Sequence, residues 1–495
     1  MEDILNFLLT IGSPAFAAYS LQITYLNTRW LFKAFLDIKF PNSKTIPMVI
    51  SAFHHVPIRI LSHPTLPQLP SLIVLPQNDG YWNILLRGVK KIRRWSIPLI
   101  MNFVWVIVAT LLTIVGSLTS VPPGDIGYGT VAIWLFLLPL IIGWLHVGSE
   151  PEPNHLRECL ETANGAAWVA QPDQDPVLAQ DYDRHPGFAI DFAKGDEVPY
   201  ARQDELKTSP IFNYSRAFTW PLNAEIVLAL VKTAALNAEQ KIAVRSSTSR
   251  RDSGWIKSED GEMARENRVG NADQVIRYCT EVPPSQEQEP GKPITTIESP
   301  QLPELPNEMG VPTPSRWATG VWGRVAIATA LALGLQWGTT GGAIIIHYWE
   351  YPIGLGCRTL SFLLYTALST TAFFLFLASS ILAHMSCPPL GQEHLWRESP
   401  ALSRAAIICR WSGKVVAITS AISVLLACFF QAAGAFDTCF CASTTFDRGR
   451  VDVFIITNYL AKSTISKYWF GGLGMASAVA LLYGFSIYVS TPPRR

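Results

Sequence analysis

Charge is scarce in this chain: Asp, Glu, Lys and Arg make up 16% of 495 residues, against about 25% in an ordinary soluble domain. No basic stripe interleaved with aromatics is present, which argues against a nucleic-acid surface, so no nucleic-acid partner is expected. A phosphate-binding glycine loop with a following Lys-Ser/Thr, a Gly-x-Ser-x-Gly elbow and a dinucleotide fingerprint are all missing. Paired Asp-rich motifs of the kind that hold a Mg²⁺-diphosphate are absent from the apolar runs, and Asp181-Tyr182-Asp183 alone does not make a glycosyltransferase. The nine histidines are scattered (among them His54, His55, His63, His146, His155, His347, His384 and His394) and form none of the clustered arrays of a di-iron membrane oxidase. No cofactor and no metal site is therefore expected.

Long apolar runs are what the chain has instead. Six of them, at 97–119, 127–147, 321–347, 360–384, 413–434 and 469–489, match the ~20 residues a helix needs to cross a ~30 Å hydrocarbon core. A seventh, 4–26, is interrupted by Pro14. The expected fold is an all-α membrane protein, a bundle of six or seven transmembrane helices in a lipid bilayer. Trp95, Trp144, Trp349, Trp411 and Trp469 fall near predicted run ends, where indoles favour the headgroup boundary. Met1-Glu2-Asp3 lacks the basic leader of a signal peptide, so the first run is expected to stay as an anchor.

The net charge of +1 conceals an asymmetry, with most acidic residues between 150 and 308. Arg87, Lys90, Lys91, Arg93 and Arg94 precede the run at 97 and by the positive-inside rule put 27–96 in the cytoplasm. Alternation then makes 148–320 a long, partly disordered, acidic cytoplasmic insertion open to a cytoplasmic protein partner, and puts the C-terminus inside. One loop, 435–468, disagrees by carrying Arg448, Arg450, Lys462 and Lys467 outside. Within the insertion, 222–244 reads as a helix docking on the bundle or bilayer, and the Pro-, Gln- and Glu-rich linker 282–314 cannot bury a core. Residues 81–95 read as an interfacial helix whose apolar face (Trp82, Leu85, Leu86, Val89, Ile92) recurs at helical spacing opposite a basic face.

Small residues recur every fourth position at Ala326, Ala330, Gly334, Gly338 and Gly342, and again at Gly472, Ala476, Ala480 and Gly484. Such grooves let helices approach closely, inside the bundle or across a dimer. Cys439 and Cys441 share the outer side with Cys357 in this threading, so a disulfide is expected between Cys357 and one of the pair; a metal is the alternative, without a histidine to complete it. Polar residues inside spans mark candidate sites: Gln336, Thr339 and Thr340, then Tyr365, Thr366, Ser369 and Thr370, then Gln431. They form a candidate polar path, with His347 and Glu350 at its outer mouth as a candidate proton-exchanging pair; hydroxyls that merely bond their own helix are the inert reading. If 154–163 is helical, His155, Glu158 and Cys159 share one face, or are simply solvated juxtamembrane sequence. Arg250-Arg251-Asp252-Ser253 resembles a basophilic kinase site, 300–306 has polyproline-ligand spacing, and the sequon Asn213-Tyr214-Ser215 is expected to go unused in the cytoplasm.

Gly12-Ser13-Pro14 through Leu26-Asn27-Thr28-Arg29-Trp30, Leu75-Pro76-Gln77-Asn78, Arg93-Arg94-Trp95-Ser96, Leu137-Leu138-Pro139 through Gly143-Trp144, and Cys439-Phe440-Cys441 resemble a group of uncharacterised polytopic membrane proteins of filamentous fungi. That resemblance covers most membrane parts, implies a setting near secondary-metabolite genes, and implies no activity. Three functions stand open: a non-enzymatic accessory, scaffold or receptor-like component; a carrier or channel for a small metabolite; and a membrane-embedded enzyme on a lipophilic metabolite using His347 and Glu350.

Overall fold

The computed structural model describes residues 2–61, 66–89, 107, 130–147, 153–172, 174–182, 188–245, 255–256, 263–282, 315–349, 353–386, 399–433, 435–447, 449–450 and 459–491. Its helices are α1 (Glu2–Gly12), α2 (Pro14–Ala34), α3 (Ile46–Ala52), α4 (Gln68–Val74), α5 (Asp79–Val89), α6 (Thr130–Trp134), α7 (Leu137–Val147), α8 (Pro153–Gly165), α9 (Thr219–Glu239), α10 (Ala272–Thr280), α11 (Val321–Trp349), α12 (Cys357–Ser386), α13 (Pro400–Ala432), α14 (Cys439–Ser443) and α15 (Tyr459–Ser490). Short strands pair two by two, all antiparallel.

Among the described residues four helices are long and apolar enough to cross a membrane, within α11, α12, α13 and α15; counting α1 and α2 as one bent span makes five. The further spans of the six or seven expected are not among them. The run at 97–119 lies outside the described residues apart from position 107. The run at 127–147 divides into α6 and α7, because Pro139 has no N–H for the Leu135 carbonyl, which takes a tighter bond from Leu138 N instead (3.3 Å). The 4–26 run breaks at Ser13 and turns by 100°. Proline at the next position drives Ser13 out of the helical region, to φ −146°, ψ 84°, while itself suiting the first turn of α2.

Around this break, α11 packs on α2 and α15, α12 on α13, and α1 on α13. A Cβ on Gly12 would lie 1.9 Å from the Ala417 carbonyl oxygen, so only glycine admits the α1–α13 crossing. Gly342 and Gly472 meet reciprocally, a Cβ on either falling 2.5 Å from the other's carbonyl oxygen, and Gly338 packs on Val479. Ala476 is buried in the same seam, whereas Gly334 faces open space and Gly484 meets only Pro139 at ordinary distance. Ala480 is buried nearby. The reason is angular: steps of four residues drift by about 40° on a helix of 3.6 residues per turn, so a five-residue ladder cannot keep one partner. Outward, α13 presents Ile408, Trp411, Val415, Ile422 and Phe429, and α15 presents Leu481, Leu482, Phe485 and Tyr488. So continuous an apolar surface suits hydrocarbon and not water.

A second core joins sequence expected to be separate. Leu31 to Leu85 packs with Leu156 to Cys279, and strand Ile58–Ile60 pairs with Ile190–Phe192. Much of the expected cytoplasmic insertion is thus folded onto the segment before it. The 222–244 helix appears as α9, whose Val227, Val231 and Ala234 are buried in this second core. The interfacial reading of 81–95 is corrected: Tyr81, Trp82 and Leu85 point into protein, with Trp82 Nε1 donating to Leu72 O (2.9 Å). Helical periodicity reports that a face is apolar and is silent on whether lipid or protein covers it. Positions 90–95 and the linker from 283 to 314 lie outside the described residues.

Candidate functional site

The intramembrane polar residues meet at the break between α1 and α2. A broken helix leaves backbone donors and acceptors unpaired, which hydrocarbon cannot satisfy. Here side chains of α11 and α12 do so. Gln336 Oε1 accepts from Ala15 N (3.1 Å) and from Ser369 Oγ (2.7 Å), while its Nε2 donates to Thr370 Oγ1 (2.8 Å) and Thr366 O (3.3 Å). Tyr365 Oη donates to the Ile11 carbonyl (2.7 Å), at the end of α1, and Ser13 Oγ donates to Ser369 O (2.9 Å). Gln336 is fully buried and uses both ends of its amide. The cluster caps a helix break; it is filled, not hollow.

Other candidates fall elsewhere. Thr339 and Thr340 bond carbonyls of their own helix. Ser420 of α13 donates to Tyr365 O (3.3 Å), and from 420 to 431 the helix advances about 16 Å, so Gln431 stands well away from Gln336. His347 is buried against Phe362, rings stacked at 4.8 Å; Glu350 lies outside the described residues. Cys357 bonds Cys441 (S–S 2.03 Å) across 84 residues; of Cys439 only the backbone, at the start of α14, is described. Replacing Cys357 by serine frees the chain between α12 and α14, at an expected cost of about 2–3 kcal/mol. A lower thermal midpoint without added reductant, and none with it, checks this.

A second constellation, which the sequence did not reveal, joins the folded insertion to the bundle. The turns Tyr200–Leu206 and Pro210–Arg216 bring Arg202, Asp204, Glu205, Tyr214 and Arg216 together, all buried. Asp204 accepts from Tyr214 Oη (2.7 Å) and pairs with Lys414 Nζ (2.7 Å) of α13, with Arg410 Nε at 4.0 Å. Arg202 grips Glu205 through both oxygens (3.0 and 2.8 Å). Arg216 donates to the carbonyls of Glu205 and Lys207. Arg410 and Lys414, one turn apart at the edge of an apolar run, were the only visible signal.

Beside it lies a histidine junction. Arg324 Nε holds Asn27 Oδ1 (2.8 Å), which turns Asn27 Nδ2 toward His54 Nε2 (3.4 Å). Asn213 Nδ2 reaches Thr24 Oγ1 (3.0 Å) and His55 Nδ1 (2.9 Å), so the sequon asparagine is buried and closed to a glycan. A narrow cleft of about 20 Å³ adjoins, between Phe53, Trp220, Arg202, Glu205 and Asn223.

Burial, then His55 and Arg216, hold His54 well below the ordinary imidazole range. A base whose folded pKa is depressed binds fewer protons folded than unfolded. Its contribution is therefore complete above about pH 6.5 and is lost as pH falls below that, by at most about 1.4 kcal/mol per unit. Thermal midpoints between pH 7 and pH 5 should fall for the native chain and fall less for His54→Gln; equal slopes would contradict the assignment.

Among the described residues no group of three or more His, Cys, Asp or Glu is placed to hold a metal. What the geometry offers is a capped helix break and an ionic clamp, both assembled from residues far apart in sequence. No protein-family model, curated protein or solved structure matches the chain.

Proposed function

We propose that this chain is an integral membrane scaffold or receptor-like component that presents its folded insertion on the cytoplasmic side, without a transport path along its polar residues. The carrying observation is the saturation of Gln336, whose four hydrogen bonds to Ala15, Ser369, Thr370 and Thr366 leave nothing for a passing solute. The ionic clamp between Asp204 and Lys414 supports the scaffold reading, since it fixes the insertion rigidly to α13.

Placement rests on two marks. Trp317, Trp322 and Phe218 cluster at the start of α11, and Trp349 stacks on Tyr468 (4.1 Å) at its end. Positions 322 and 349 are about 40 Å apart along the helix, the thickness of a bilayer with its headgroups. The Cys357–Cys441 disulfide lies at the Trp349 end, which fits an oxidising exterior. The end of α15 belongs to the other side, where Arg29 donates to Val489 O (2.6 Å), in keeping with a cytoplasmic C-terminus. A count of six or seven spans adds those at 97–119 and 127–147. A fungal setting near secondary-metabolite genes remains part of this reading on sequence resemblance alone.

Metabolite profiling of cells lacking the chain, complemented with native protein or Thr370→Val, tests it. Thr370 is half-buried and its substitution spares the other Gln336 bonds. Unchanged metabolites inside and outside the cell are expected with both. A metabolite whose movement fails with normal amounts of folded Thr370→Val would establish a carrier instead.

A further inference from the structure

Helix α8 carries a nucleophile constellation used by neither the break nor the clamp. Cys159 Sγ lies 3.6 Å from His155 Nε2, and His155 Nδ1 lies 4.0 Å from Glu158 Oε2. Thiol, imidazole and carboxylate thus stand in order along one helix face, at i+4, i and i+3. A nucleophile beside a base is the arrangement by which proteins activate weak nucleophiles; the exposed Glu158 carboxylate adds only a loose charge contact to His155. Rigidity comes from the opposite face, where Leu156 and Leu160 are buried in the second core.

The neighbouring helix is shaped around the sulfur. A Cβ on Gly88 would lie 2.4 Å from Cys159 Sγ, so the α5 backbone comes this close only because residue 88 is glycine. The thiol is half-buried at the α5–α8 seam, with His155 at 28% side-chain exposure and Glu158 at 77%. Cys279 is the contrast: it is buried, and burial pushes its thiol up, out of the reactive range.

We propose that Cys159 is a nucleophilic thiol, activated by His155, that accepts an acyl group from an acyl thioester. His155 Nε2 takes the Sγ proton, Sγ bonds the acyl carbon, the donor's C–S bond breaks, and His155 returns the proton to the departing thiolate. The products are an S-acyl cysteine and a free donor thiol, with no oxidant or reductant needed. A thioester suits the site because its leaving group is itself a thiolate, expelled without metal assistance. Location favours a lipid-derived acyl chain, since α8 starts at Pro153 a short link after the apolar α7 ends at Val147.

The test incubates purified full-length chain in detergent with a long-chain acyl-coenzyme A and follows hydroxylamine-labile acylation of the Cys159 peptide by mass spectrometry. A general base contributes typically 10²–10⁴-fold, so His155→Ala should slow acylation at pH 7 by at least about tenfold. Its rate should rise steeply toward pH 9, whereas the native rate should change little from pH 7 to 9. Cys159→Ser should abolish the signal. N-ethylmaleimide at pH 9 must label Cys159 in both native and His155→Ala chains. No acylation at Cys159, equal rates with and without His155, or failure of maleimide to reach the native thiol would each overturn the proposal.

Discussion

Gln336→Leu should destabilise the folded chain by about 4 kcal/mol, against the roughly 5–15 kcal/mol a typical domain has to spare. Leucine fills the space but returns nothing to Ala15 N, to Ser369 Oγ or to the Thr370 hydroxyl. Hydrogen bonds between spans are often worth only about 0.6 kcal/mol, because an unfolded-in-membrane helix finds other partners. The Ala15 N–H differs: it belongs to the first turn of a helix begun afresh at Pro14, so it has no carbonyl of its own helix to turn to. An unmatched buried donor costs about 1–3 kcal/mol, and two are left here. Thermal unfolding in detergent should show the loss, and limited proteolysis should cut near Ser13. Gln336→Glu, held neutral by burial, keeps an acceptor for Ala15 N and one O–H donor for the Thr370 hydroxyl, and should cost less than leucine. A midpoint within a degree of native for Gln336→Leu would mean that the break does not need its cap.

Asp204→Ala should cost about 3–5 kcal/mol, the range for stripping one partner from a buried ion pair. The Asp204 side chain is 7% exposed, and its loss strands Lys414 beside Arg410 and removes the acceptor of Tyr214. Lys414 has an escape through its long stem; Arg410, also donating to Tyr200 O (2.8 Å), has none. The damage should therefore fall on the turns that hold the insertion to α13. Hydrogen exchange should quicken across 200–216 while the interior of α12 stays protected. Asp204→Ala with Lys414→Met should recover part of the loss, because the second change removes the stranded charge. Additive losses would contradict a shared clamp.

Much of this could be read from composition and period, and what could not has specific causes. The apolar lengths of α11, α12, α13 and α15 mark them as spans, and cysteine arithmetic points to a Cys357 disulfide, found with Cys441. Pro14 was legible as an interruption, but its consequence was not: the residues that cap the break lie more than 300 positions away, at 336 and 365–370. A separation of 210 residues hides Asp204 from Lys414, since nothing in a run of polar turns says which carboxylate will be buried. Strand Ile58–Ile60 and its partner Ile190–Phe192 are three residues each, too short to announce themselves, and yet they tie the pre-span segment to the insertion. Trp82 and Leu85 show the remaining limit, because an amphipathic face fits a lipid surface and a protein core alike.

Water's access to the helix break is the decisive quantity. Ser369→Cys places a small thiol where Ser369 now donates to Gln336, at a fully buried position. Native membranes treated from either side with a membrane-impermeant thiol reagent, followed by mass spectrometry of the peptide containing position 369, measure that access directly. A sealed plug leaves the thiol unmodified from both sides while the folded chain keeps its native thermal midpoint; modification from either side would mean that an aqueous route runs through the bundle at Gln336.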